Sequence, residues 1–139
     1  MSSIDVLENK ISAIKKYLKI LQGYKKFKAE KIKQDVYIRG GLERYLYLVS
    51  QSAIDLAEGV IAYQKLRKPS TMAECFDILY ENKIISKTMV DKMTKMTGFR
   101  NIVAHDYEDI DYDIVYNVLM YKLIDIERFA NIINKKIIV

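Results

Sequence analysis

The run Arg100-Asn101-Ile102-Val103-Ala104-His105-Asp106-Tyr107 holds the only histidine of the 139-residue chain, with an arginine five residues before it and a tyrosine two residues after. These three residue types cover most of what phosphate chemistry without a metal requires. Arg100 carries a permanent charge on a planar fork that matches two phosphate oxygens. His105 takes or gives a proton near neutral pH. Tyr107 has a hydroxyl that donates a hydrogen bond or accepts a modifying group, and a ring on which a base can stack.

Other chemistries lack their residues. One histidine and one cysteine build neither a nucleophilic triad nor a conventional zinc site within one chain. Cys75 lies in an apolar stretch and reads as a small core residue. The glycines of Arg39-Gly40-Gly41-Leu42 match neither a P-loop nor a dinucleotide fingerprint. Asp109, Asp111 and Asp113 have the spacing that opens a calcium loop. However, Ile114 stands where that loop needs glycine, and Met120 stands where a glutamate would close it. Any chemistry therefore passes through the Arg100–Tyr107 segment, and we expect no metal and no cofactor.

The elements that must position this segment read as helices. A chain of this length, half hydrophobic and 29% charged, forms one globular domain, here residues 1–139. A single proline and five glycines leave few helix breaks. Ile4, Leu7, Ile11, Ile14, Leu18 and Leu21 make the stripe of an amphipathic helix. A long second helix is predicted from about Asp35 to Arg67, ended by Pro69. Thr71 and Glu74 have capping-box spacing and open a short third helix that ends near Asn82. Ser86 caps a fourth, which carries Met89, Met93, Met96, Phe99 and Val103 inward. Asp111 or Asp109 starts the last, with Ile114, Val118, Tyr121, Ile126, Phe129 and Ile133 on its apolar side. The expected fold is all-α, an antiparallel bundle of four to five helices. The first residues contain no long apolar segment of a signal peptide, and no run approaches the roughly 18 apolar residues of a membrane span. We expect no membrane and a cytoplasmic protein.

Charge is uneven within a net +5. Nine lysines and a single acid, Glu30, fall between Lys10 and Lys33, with Tyr17, Tyr24 and Phe27 interleaved. This band, Lys25, Lys26 and Lys28 at its centre, either tracks an RNA backbone with the rings as stacking platforms or is a solvated face and basic connector. Asp106, Glu108, Asp109, Asp111 and Asp113 follow the histidine. Some of them cap a helix, and the others raise the proton affinity of His105 or form a docking surface for a basic partner.

Helical arithmetic raises a difficulty for the motif. On an unbroken helix Arg100 and Tyr107 lie within about 20° of each other, whereas His105 points about 140° away from Arg100. Either the helix ends or bends near His105, or another element contributes to the site.

The pattern Arg-x4-His-x-Tyr, with Asn101 after the arginine and Gly98-Phe99 before it, resembles the HEPN superfamily and in particular its HepT-like toxins. Gly41-Leu42-Glu43-Arg44 and the later Gln51-Ser52-Ala53-Ile54-Asp55-Leu56-Ala57 look like the corresponding helix of that family. The resemblance implies the toxin of a toxin–antitoxin pair, a metal-independent endoribonuclease. In that carry-over Arg100 clamps the phosphate, His105 is acid or base, Asn101 orients the site, and Tyr107 supports it. It also implies a homodimer whose paired motifs line one cleft. The implied partner is a cognate minimal nucleotidyltransferase, the antitoxin, which adenylylates Tyr107. Asp55 either faces the cleft and holds a basic side chain or is an exposed helix acid. The main rival is a non-catalytic helical subunit that binds nucleotide or substrate for a nucleotidyltransferase. A plain dimerisation bundle is a third reading.

Overall fold

The computed structural model describes residues 3–105 and 109–139, and every described element is helical. In chain order these are α1 (Ile4–Gln22), α2 (Ala29–Gln34), α3 (Val36–Tyr63), α4 (Glu74–Glu81), α5 (Lys87–His105), α6 (Tyr112–Asn117) and α7 (Leu123–Ile133). A 3-10 turn, Gly23–Lys26, follows α1, and a π turn, Val118–Lys122, joins α6 to α7 into one rod. The expected all-α bundle is what the chain forms. The short α2 fills what the sequence suggested was only a connector.

Side-chain caps open several of the helices. Ser3 opens α1, and Asp35 opens α3 by accepting from the amides of Tyr37 and Ile38 at 3.0 and 3.1 Å. Thr71 accepts from Glu74 N at 3.1 Å in the turn before α4, which starts at Glu74 and not at Thr71, while Ser86 accepts from Met89 N at 3.2 Å and Asp111, rather than Asp109, caps α6.

The end of α3 differs from expectation. It stops at Tyr63, well before Pro69, because Lys65 adopts a left-handed conformation, φ 55°. Leu66 N then reaches back to Ile61 O at 2.9 Å, which closes a Schellman motif. Lys83, φ 61°, ends α4 in the same way, with Ile84 N on Leu79 O at 2.9 Å. Glycine usually occupies that position, and its Cβ-free backbone avoids the strain. We expect Lys83→Gly to raise stability by about 1 kcal/mol, a gain of about 3 °C in melting temperature. A thermal melt without that gain would mean the lysine side chain offsets its own strain.

Contacts with α3 give the topology. Lys10, Tyr17 and Tyr24 of the N-terminal segment meet Asp55, Tyr45 and Gly41 in turn, so α1 runs antiparallel to α3. A side chain at Gly59 would meet Leu7 Cδ2 at 2.9 Å, so glycine lets these two helices approach closely. On α5, Met89, Met93, Met96, Phe99 and Val103 are buried as expected. Phe76 of α4 meets Phe129 of α7 edge to face at 5.4 Å. In the last rod Ile114 and Tyr121 are 47% and 67% exposed, against expectation, while Val115, Leu119 and Leu123 are buried. The other four residues of that stripe, Val118, Ile126, Phe129 and Ile133, are buried as expected.

Candidate active site

The C-terminal turns of α5 and the N-terminal half of α3 enclose a pocket of about 490 Å3. Gly40, Glu43, Arg44 and Tyr47 line it from α3, and Arg100, Val103, Ala104 and His105 line it from α5. The arginine and the histidine of the motif therefore share one cavity. The difficulty of the helical arithmetic is met by a second element. Helix α3 supplies the opposite wall, and His105 is the last described residue of α5.

Arg100 is half-buried and held in place. Its Nε donates to Gln51 Oε1 at 2.7 Å, and its Nη1 donates to Asn101 Oδ1 at 2.9 Å. The guanidinium lies over the Tyr47 ring, 5.2 Å from the centroid. Two donors are thus engaged, and among the described residues the rest of the fork meets no acceptor and suits an anion. Gln51 is oriented in turn, because its amide nitrogen donates to Asp55 Oδ1 at 2.8 Å while Asp55 also receives Lys10 Nζ at 3.5 Å. Asp55 does hold a basic side chain, that of Lys10, but it is not among the pocket's lining residues and is linked to Arg100 only through Gln51.

Opposite Arg100, Arg44 lies over the same Tyr47 ring at 5.8 Å. Glu43 is the acid that lines the pocket, and it accepts a 2.9 Å hydrogen bond from the Tyr112 hydroxyl. Burial, reinforced by that carboxylate, pushes the Tyr112 phenol above its ordinary pKa, so it stays a donor. Together with the Lys33–Asp113 ion pair at 2.7 Å, this bond ties the start of α6 to α2 and α3. Two acids that follow the motif thereby receive plain structural roles, Asp111 as a cap and Asp113 as the partner of Lys33.

Tyr107 lies outside the described residues, as do Asp106 and Glu108. Lys25, Lys26 and Lys28 are not among the residues that line the Arg100 pocket. Lys25 lines a separate groove between α1 and α7, and Lys26 rests over the Phe27 ring at 5.1 Å. Tyr17, Tyr24 and Phe27 are half-buried and pack on Tyr45 or on one another with centroids 6.2–6.4 Å apart. Those rings brace the α1–α3 end of the bundle, and a base has little open face to stack on. Cys75 is buried in the core, which pushes its thiol up to about 11 and leaves it unreactive near neutral pH.

The sequence reading assigned no role to Arg44, Tyr47 or Gln51. The signal was present. Gly40, Arg44, Tyr47, Gln51 and Asp55 recur at steps of four and three and so share one face of α3. A search for apolar stripes passes over such a polar one.

A model of the ribonuclease HepT-like family matches residues 11–133. Over 130 residues the chain is 33% identical to the mRNA nuclease HepT of Shewanella oneidensis, which spans 93% of this chain and 96% of that protein. It is 29% identical over 138 residues to the tRNA nuclease HepT of Aphanizomenon flos-aquae, with 96% and 90% covered. Its structure is similar to that of the tri-AMPylated Shewanella oneidensis HEPN toxin in complex with MNT antitoxin, with a TM-score of 0.87, 31% identity, and 95% and 98% of the two chains covered. The match extends from the first helix to the last and includes the segment that carries the arginine and the histidine, so the chain belongs to the ribonuclease HepT-like family.

Proposed function

We propose that the chain is the ribonuclease toxin of a toxin–antitoxin pair, acting in the cytoplasm on RNA. The observation that carries this reading is the convergence of Arg100 and His105 on one pocket with a second arginine on its far wall. In the reaction the ribose 2′-oxygen loses its proton and bonds to the neighbouring phosphorus. The bond from phosphorus to the 5′-oxygen breaks, and that oxygen takes up a proton. The products are a cyclic phosphate and a free 5′-hydroxyl. Arg100 binds the non-bridging oxygens and stabilises the charge they gain. Asn101 fixes one edge of the guanidinium through its 2.9 Å hydrogen bond.

One proton must be removed and another delivered, yet each chain has a single histidine. A symmetric homodimer answers this by pairing His105 with His105 of the partner subunit across a two-fold axis. The face that suits a second copy is the α5–α7 groove, about 800 Å3, with the exposed side chains Ile102, Ile114, Tyr121 and Ile124. Ile102 and His105 lie within about 60° of each other around α5, so a copy seated there borders the histidine of each chain.

The cognate partner is a minimal nucleotidyltransferase that silences the toxin. In the proposed transfer, the Tyr107 hydroxyl oxygen bonds to the α-phosphorus of ATP, pyrophosphate leaves, and the phenolic proton passes to solvent.

The test is cleavage of single-stranded RNA by the purified chain. We expect fragments ending in a cyclic phosphate, undiminished by EDTA, from a species with the mass of a dimer in light scattering. A chain that binds nucleotide but leaves every RNA intact would favour the non-catalytic subunit. Loss of cleavage in EDTA would remove the metal-independent mechanism.

A further inference from the structure

Arg44 and Arg100 both lie over the ring of Tyr47, at 5.8 and 5.2 Å, and both line one pocket. Two permanent cations around a single ring repel each other, an arrangement that is unfavourable in an empty site and favourable once an anion lies between them. The one described carboxylate in the pocket does not relieve it. Glu43 is engaged by Tyr112, and among the described residues neither arginine makes an ion pair. The arginines elsewhere on α3 and just after it behave otherwise. Arg39 donates to Lys33 O, and Arg67 holds Glu81 with two hydrogen bonds. Arg44 is also exposed, whereas Arg100 is held on two sides by Gln51 and Asn101. The pair is thus one fixed fork next to His105 and one free-swinging fork further along the wall.

We propose that Arg44 is a second phosphate-binding residue, taking the phosphate next to the scissile one, so that the pocket grips two consecutive phosphates of a single RNA strand. Tyr47 is the spacer that holds the two guanidinium groups apart. The proposal rests on the ribonuclease reading and adds to it a binding residue supplied by α3. Arg44 acts on substrate binding, with the chemical step left to Arg100 and His105.

The probe is a short fluorescent single-stranded RNA of mixed sequence, with binding followed by anisotropy in the cleavage-deficient His105→Ala protein over a series of salt concentrations. Each phosphate contact of a single strand contributes about 0.7 to the slope of log affinity against log salt. We expect Arg44→Ala to flatten the slope by about that amount and weaken binding severalfold, and Arg44→Lys to keep most of the slope. Lys68→Ala, in the loop after α3, gives the baseline for losing one remote positive charge. In the cleavage-competent protein Arg44→Ala should raise KM far more than it lowers kcat. A slope for Arg44→Ala no different from that of Lys68→Ala, while Arg100→Ala flattens it, would overturn the second site and leave the ribonuclease reading standing. Slopes unchanged in both arginine variants, or no RNA binding at all, would overturn both.

Discussion

Replacing His105 with alanine will lower the rate of RNA cleavage by about a thousand-fold and abolish the growth arrest caused by expressing the chain alone. The size follows from the role. A positioned acid or base contributes about 10²–10⁴ in rate, and in a dimer one substitution removes the group from both halves of the cleft. Arg100→Ala should lose about 10²–10³, the usual cost of deleting a group that stabilises charge in the transition state. Arg100→Lys should recover little of it. An ammonium does not reproduce the fork that meets Gln51, Asn101 and a phosphate together. Neither variant should unfold the bundle. His105 is exposed, and Arg100 is only half-buried. Circular dichroism and a thermal melt should therefore match the parent protein while a gel shows intact RNA. Toxicity unchanged in His105→Ala would end the acid/base assignment.

The second large effect is an all-or-none one at Tyr107. Co-expression with the cognate nucleotidyltransferase should add one or more adenylates to the chain, visible in its intact mass and absent in Tyr107→Phe. Tyr107 follows His105 by two residues, a distance the backbone spans in at most about 7 Å. An adenylate on its hydroxyl brings a phosphodiester anion within reach of the pocket that Arg100 and Arg44 line. Paired with those guanidinium groups, it occupies the place of the RNA phosphate and silences the enzyme without unfolding it. Tyr107→Phe should accordingly remain toxic beside an active partner. An unmodified mass in the presence of active partner and ATP would sink this route and leave neutralisation to physical masking of the cleft.

Much of this molecule is legible in its sequence, because the information is local. Caps depend on one side chain and the two or three amides that follow it, so Asp35, Ser86 and Asp111 mark helix starts from residue type alone. The core face of α5 follows from the helical period, and the five side chains it selects are all buried. Arg100, Asn101 and His105 are found because they stand close together in the chain at a recognisable spacing.

What only the tertiary structure decided depends on backbone state or on distance along the chain. Lys65 enters the left-handed region and stops α3 before Pro69, which residue type does not announce because glycine is the usual occupant. In the last rod Ile114 and Tyr121 face solvent although Val118, Ile126, Phe129 and Ile133 of the same apolar stripe are buried. The site itself is half built by α3. Gln51 reaches Arg100 across 49 residues of sequence, and Arg44 and Tyr47 face it only because α3 and α5 pack side by side. A motif names the side chains that act. The fold decides which ones stand opposite them, because packing sets distances between residues that the order of the chain leaves far apart.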